Sequence, residues 1–275
     1  MKHLSKPEIQ QLELELLLAY TGFCERQGLY YTLGGGTLLG AVRHQGFIPW
    51  DNDIDVLMPR PDYERLMAMG GRELDGLPPY MKLMHWKNGG MAFPFMKLAD
   101  KRTLVRNKYV EDHFDCNYIS IDIFPIDGNP GNRKELERLY RLSLFYRKLL
   151  TLQTARKGEG KSSFKRWMKP FLVTGIQAVS PRGLSAEALC DRIDALGRSV
   201  DFGNSRYVGG VVWGYGPGER MLKSGFMTPK KLKFEGCLFN GPSNYHEYLS
   251  GLYGDYMTPP PEGKREGHEM EAYML

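Results

Sequence analysis

The chain has 275 residues, 42% of them apolar and 25% charged, which is ordinary for a globular protein and ample for one large core. No stretch approaches the roughly 20 apolar residues of a membrane span. Met1 to Lys6 is polar and the apolar run behind it carries Glu13 and Glu15, so no secretory signal is read there and a cytoplasmic chain is expected. Net charge is +5, but residues 141–170 hold nine bases and one acid, so the basic character is local. Cys24, Cys116, Cys190 and Cys237 are isolated, which points to reduced thiols and argues against a zinc site.

Ser5 with Glu8 reads as a capping box, with Pro7 in the first turn of a helix whose apolar residues are Ile9, Leu12, Leu16, Ala19 and Phe23. Gly28 ends it. Leu29 to Leu33 reads as a strand, followed by Gly34-Gly35-Gly36 and a short helix over Thr37 to Arg43. Ile54 to Met58 is a second strand, and Pro59, Pro61 and Asp62 open another helix. Phe93 to Leu98 and Tyr118 to Phe124 are further strands. Gly128-Asn129-Pro130-Gly131 is a breaker cluster and marks the end of a core unit. Residues 132–180 read as basic and helical, and 185–200 as another helix. Tyr207 to Trp213 and Phe234 to Phe239 read as strands. Asn244 with Glu247 caps a helix, and the tail from Thr258 reads as loop.

The chemistry concentrates in the acids. Residues two apart in a strand share a face, so Asp53 and Asp55 point one way while Ile54 and Val56 point into the core. Asp51 has the same parity. Asp122, between Ile121 and Ile123, repeats the arrangement in a later strand. Carboxylates held this close repel unless a cation sits between them, and hard oxygen ligands suit Mg2+, with Mn2+ as the alternative. A bare Asp-x-Asp is more often a solvated strand edge. Here a glycine turn lies upstream on a strand-to-helix junction, where backbone N–H groups can hold phosphate. Glycine turn, Asp-x-Asp strand and later strand Asp together resemble the layout of polymerase-β-like nucleotidyltransferases. The expected fold is therefore α/β (α+β), a short mixed sheet flanked by helices, with helical additions.

The resemblance sharpens at Gly35-Gly36-Thr37-Leu38-Leu39-Gly40-Ala41-Val42-Arg43-His44 and at Gly46-Phe47-Ile48-Pro49-Trp50-Asp51-Asn52-Asp53-Ile54-Asp55. With Ile121-Asp122-Ile123-Phe124-Pro125-Ile126-Asp127, Phe234-Glu235-Gly236 and Tyr253-Gly254-Asp255-Tyr256-Met257, these segments resemble the LicD family. That family includes bacterial phosphocholine transferases and, more distantly, the ribitol-phosphate transferases fukutin and fukutin-related protein. Asn52 stands where many relatives carry Asp, on the opposite parity to the metal-facing acids.

The resemblance implies a transferase moving an alcohol phosphate from a CDP-alcohol such as CDP-choline to a sugar hydroxyl of a glycan, releasing CMP. The implied metal ligands are Asp51, Asp53, Asp55 and Asp122. Asp53, Asp55 and Asp122 are the catalytic set; if Asp122 lies on the acceptor side it is the candidate general base, a role the family does not settle. Gly35, Gly36, Thr37, Arg43, His44 and Lys97 are the candidate donor contacts. Lys97 reads equally as a phosphate neutraliser or as a strand-edge lysine. Trp213 and Tyr215, with Tyr30 and Tyr109, are among many aromatics that could recognise choline, and Glu235 and His268 match the C-terminal pattern. Two rivals stand beside this reading: nucleotidyl transfer with release of pyrophosphate, and an inactive glycan-binding scaffold.

Three parts are expected: a catalytic core over 1–131, a basic helical insertion over 132–184, and a C-terminal region over 185–275 closing the cleft. No nucleic-acid partner is expected. The acceptor is a glycan, lipid-linked in many such pathways. Phe164, Trp167, Met168, Phe171, Leu172, Ile176 and Val179 recur at helical spacing beside Lys165, Arg166 and Lys169. This stripe fits weak peripheral contact of 141–180 with the inner face of a membrane. It fits better an ordinary helix packed on the core.

Overall fold

A computed structural model describes residues 1–70, 74–106, 110, 114–155, 185–265 and 270–275. The first helix, α1 (Lys6–Gln27), starts where its capping box places it: the Glu8 carboxylate accepts from the Ser5 N–H at 2.8 Å. It ends at Gly28, whose φ of 60° is the left-handed value that glycine adopts without strain. Strand β1 (Lys2–His3) precedes it. Strand β2 (Thr32–Leu33) is shorter than the expected run from Leu29, and helix α2 (Gly35–Arg43) starts two residues earlier than expected, inside the glycine triplet.

Strand β3 (Asp55–Pro59) leads into α3 (Arg60–Met69), as the Pro59, Pro61 and Asp62 signals require. Next come β4 (Met81–Met84), the short α4 (Trp86–Gly89), β5 (Met96–Asp100), β6 (Thr103–Val105) and β7 (Ile119–Asn129). The principal sheet runs β2-β3-β7-β5-β4. Its β3–β7 pair is parallel and the other pairs on this path are antiparallel, so the sheet is mixed as expected.

Strand β7 outlasts its expected end at Phe124. Asp127, Gly128 and Asn129 pair with β8 (Tyr207–Gly209), and Pro130 stops the strand. Gly128 is needed for close approach rather than for a turn: a Cβ there would lie 2.5 Å from Ser205 Oγ and 2.6 Å from the Val200 carbonyl. Through β8 the C-terminal third is joined to the principal sheet, and one hydrophobic cluster includes Leu16, Ile121, Val208, Phe226 and Leu249.

Asn132 caps α5 (Arg133–Thr154), accepting from the Lys134 N–H at 2.8 Å. It packs against α6 (Ala186–Gly197). The apolar stripe from Phe164 to Val179 lies outside the described residues. Strand β9 (Met221–Leu222), helix α7 (Lys223–Phe226), strands β10 (Pro229–Phe234) and β11 (Cys237–Pro242), helix α8 (Tyr245–Tyr253) and strand β12 (Ala272–Met274) complete the chain. The expected strand over Phe234 to Phe239 is instead the bend of the β10–β11 hairpin. Glu235 and Gly236 take φ of 47° and 79° there, the paired positive values of a tight hairpin turn. Strand β12 gives the tail a structured end, pairing with β1 and β6.

One buried ion network ties these layers. Arg60, at the start of α3, donates from Nε to Asp127 Oδ1 at 2.6 Å and from Nη1 to Asp194 Oδ1 at 2.7 Å. All three are buried. The second Asp of the Ile121 to Asp127 motif therefore clamps β7 to α3 and α6.

Candidate active site

The sheet register assembles the centre. Asp55 on β3 stands opposite Asp122 on β7, and Asp122 stands opposite Lys97 on β5. Two acids and a lysine thus form one row across three adjacent strands. The ladder of β3 begins only at Asp55, yet the burial alternation runs further back: Asp51, Asp53 and Asp55 are half-buried, while Asn52, Ile54 and Val56 are buried. The expected parity therefore holds although Asp53 lies ahead of the strand.

Thr37 fastens this loop to α2. Its hydroxyl accepts from the Asp55 N–H at 2.8 Å and donates to the Asp53 carbonyl at 3.4 Å. The glycines sit against the acids. A Cβ on Gly35 would lie 2.5 Å from Asp55 Oδ2, and one on Gly36 would lie 2.7 Å from Asp51 Oδ2. The Gly35 N–H donates to the Tyr248 hydroxyl at 3.3 Å.

Asp53, Asp55 and Asp122 line one cavity of about 190 Å³ with Gly35. Its other wall is aromatic: Phe124, Trp213, Tyr215 and Tyr248, with Glu219 among them. Phe95 continues this wall, its ring centroid 4.5 Å from that of Phe124 and 5.3 Å from that of Trp213. Lys97 reaches the row from beneath these rings. Its ammonium lies 5.1 Å from the Phe93 centroid and 2.5 Å from Asp122 Oδ1.

The electrostatics are those of a site short of positive charge. Burial pushes the Asp55 carboxyl well above the usual range, and Asp53, Asp122 and Asp51 push further, opposed by Lys97. Burial works against the Lys97 ammonium, but Asp122 outweighs it and raises its pKa. Glu219 is pushed up to about 8 by burial, against the Tyr215 N–H and Arg147.

Glu13 belongs to the same environment. It is fully buried on α1, and neither carboxylate oxygen has a hydrogen-bond partner among the described residues. Burial raises its pKa first, then the charges of Asp53, Asp122, Asp51 and Asp55. Three residues earlier, Gln10 Nε2 donates to the Asp51 carbonyl at 3.0 Å, so this face of α1 supports the acid loop. The signal for Glu13 was available in the sequence, since it follows Ile9 by four residues inside the apolar stripe. Glu219 and Tyr248 carried no such signal.

The remaining candidates lie elsewhere. Asp51 Oδ1 accepts from the Asn52 N–H at 3.1 Å, and its carboxylate faces Gly36. Arg43 and His44 sit at the far end of α2, about 12 Å along the axis from Gly35. There Arg43 Nη1 donates to the Tyr256 carbonyl at 2.7 Å. Glu235 holds the turn before β3, accepting from the Phe47 N–H at 3.0 Å. Tyr30 donates to the Phe226 carbonyl at 2.6 Å. Tyr109 and His268 lie outside the described residues. Among the described residues, no group of three or more His, Cys, Asp or Glu side chains is placed to hold a metal ion, so the expected Asp51, Asp53, Asp55 and Asp122 set is not drawn together around one point.

A family profile described as "LicD/FKTN/FKRP, nucleotidyltransferase domain" matches residues 28–141. Across the whole of both chains, the protein is 32% identical to the lipopolysaccharide cholinephosphotransferase LicD of Haemophilus influenzae. The chain belongs to the LicD family. A shorter match, 29% identical over 116 residues, joins 40% of the chain to 19% of the human ribitol 5-phosphate transferase FKRP. The LicD profile spans the glycine turn, Lys97 and all of the cavity's aspartates. Trp213, Tyr215, Glu219 and Tyr248 lie beyond it, within the part that the full-length LicD match covers.

Proposed function

We propose that the protein transfers phosphocholine from CDP-choline to a sugar hydroxyl of a cell-surface glycan precursor, releasing CMP. One observation carries this reading: the cavity sets three carboxylates against a wall of aromatic rings with a buried acid. A quaternary ammonium is attracted to aromatic faces and to a nearby carboxylate, whereas a neutral polyol gains little from either. The name of the full-length relative, a cholinephosphotransferase acting on lipopolysaccharide, supports the same donor.

A hard divalent cation such as Mg2+ is the ion this reading calls for, and Asp53, Asp55 and Asp122, which share the cavity wall, are the carboxylates that would have to draw together to hold it. Bound there, the ion would neutralise the oxygens of the transferring phosphoryl group and of the departing CMP. Thr37 and α2 hold the acid loop in register. Lys97 orients the Asp122 carboxylate, and Asp122 takes the proton of the attacking sugar hydroxyl. Trp213, Tyr215 and Tyr248 pack around the choline head, and Glu219, held protonated by burial up to about pH 8, gives up its proton to face the bound cation. Gly36 and Thr37, in the first turn of α2, direct backbone N–H groups toward phosphate.

With a lipid-linked acceptor the reaction would take place at the inner membrane face. No helix among the described residues is long and apolar enough to cross a membrane. The test is a donor panel with a glycan acceptor. CMP release from CDP-choline should exceed that from CDP-ribitol and CDP-glycerol by at least tenfold in kcat/KM. Trp213→Ala and Glu219→Gln should narrow that ratio. Equal use of the polyol donors by the wild type would remove choline from the reading.

A further inference from the structure

The acid cavity, at about 190 Å³, has room for reacting phosphates and a choline head but not for a glycan. Trp213 and Tyr215 line it on one side and a second cavity of about 670 Å³ on the other. One face of α5 forms the floor of this larger cleft, and the 213–217 loop forms its rim.

The floor is basic. Among the described residues, Arg141, Arg147 and Lys148 line it against one acid, Glu137, which already bonds Arg133 at 2.9 Å. Arg147 is the most built-in of the three. It is half-buried, its guanidinium lies 5.5 Å from the Trp213 ring centroid, and its Nε is buried with no hydrogen-bond partner among the described residues. A guanidinium nitrogen left without an acceptor is costly, and an anionic oxygen in the cleft would satisfy it.

We propose that this cleft binds a phosphate ester on the acceptor glycan and so delivers the acceptor hydroxyl past Trp213 and Tyr215 to the carboxylate row. The inference rests on the phosphotransfer reading above. The donor's own charges are used in the smaller cavity, the diphosphate at the acids and the choline at the aromatic wall. Cytidine beyond its phosphate is neutral and gives three cations nothing to pair with. A lining charge of +2 suits a dianionic phosphate monoester better than a single sugar carboxylate.

The test separates the cleft from the chemistry. Without divalent cation the carboxylate row repels phosphate, so calorimetric titration with glucose 6-phosphate reads the basic cleft alone. Glucose 6-phosphate should bind where glucose and glucuronate do not. Arg147→Gln should weaken it at least tenfold. Arg141→Gln with Lys148→Gln, on the exposed part of the face, should do the same should Arg147→Gln fail to fold. In turnover with a phosphorylated acceptor, Arg141→Gln with Lys148→Gln should raise acceptor KM while kcat and the affinity for CDP-choline with Mg2+ stay unchanged. Absence of glucose 6-phosphate binding, equal binding by wild type and variants, or a matching loss of CDP-choline affinity would overturn the proposal. Should CDP-choline prove not to be the donor, the metal-free titration still decides whether the cleft takes a sugar phosphate.

Discussion

Asp55 stands directly opposite Asp122 in the parallel pair of β3 and β7. Neither strand alone pairs these two acids; their register does. Asp55→Asn and Asp122→Asn should each lower kcat/KM for CMP release by about a hundredfold or more, the several kcal/mol expected for a ligand at a phosphoryl centre. Asp55→Asn should melt no lower than the wild type without added metal, because burial and its acidic neighbours already disfavour the charge. Loss of activity accompanied by loss of folding would instead make Asp55 a structural residue.

The glycine turn is a second test of the same geometry. Gly35 has φ of 47°, and a Cβ there would lie 2.5 Å from Asp55 Oδ2. Gly35→Ala should cost about 1 kcal/mol from backbone strain alone and should displace the Asp55 carboxylate. Activity should fall far more than stability. A variant with near-wild-type turnover would show that the contact between glycine and acid has slack.

Glu219 makes stability fall as pH rises. Glu219 is raised from 4.5 to about 8 in the folded protein, so the folded state holds that proton more tightly than the unfolded chain. Its contribution is complete below pH 4.5 and is lost as pH rises through about 8. Glu219→Gln keeps an oxygen to accept the Tyr215 N–H but cannot ionise. Melting curves between pH 5 and 9 should therefore show the variant gaining on the wild type as pH rises. A constant difference across that range would remove Glu219 from the titration.

The clamp between β7, α3 and α6 should behave differently from the acid row. Arg60→Met leaves Asp127 and Asp194 buried without their shared guanidinium and should destabilise by about 3–5 kcal/mol. Chemical denaturation measures this directly. A loss below about 1 kcal/mol would show that Arg198, which bonds Asp194 at 2.8 Å, compensates.

Much of the near wall was legible because strand parity needs only local sequence. Asp53, Asp55 and Asp122 alternate with buried apolar neighbours, and the capping signals at Ser5, Gly28 and Pro61 act within one or two turns. What required the structure was pairing. Nothing in the sequence says that Lys97 lies opposite Asp122, or that β7 runs on through Gly128 to meet β8. The far wall was legible only as two names among many aromatics, Trp213 and Tyr215, and not at all for Glu219 and Tyr248, because these residues reach the cavity through the β7–β8 pairing and the packing of α8. Adjacency in sequence also misleads about distance. Arg43 and His44 follow the glycine turn closely, yet α2 carries them to its opposite end. Glu235 sat in an apparent strand because a residue with positive φ leaves no mark when it is not glycine.

In the proposed reaction the carboxylate row moves an alcohol phosphate and leaves a nucleoside monophosphate behind. Phosphorus NMR of one reaction tests it: the protein, Mg2+, CDP-choline and a lipopolysaccharide-type glycan. The diphosphate signals should give way to CMP and a phosphodiester on the glycan, and Asp55→Asn should abolish both changes. An unchanged CDP-choline spectrum beside pyrophosphate release from a nucleoside triphosphate would contradict it.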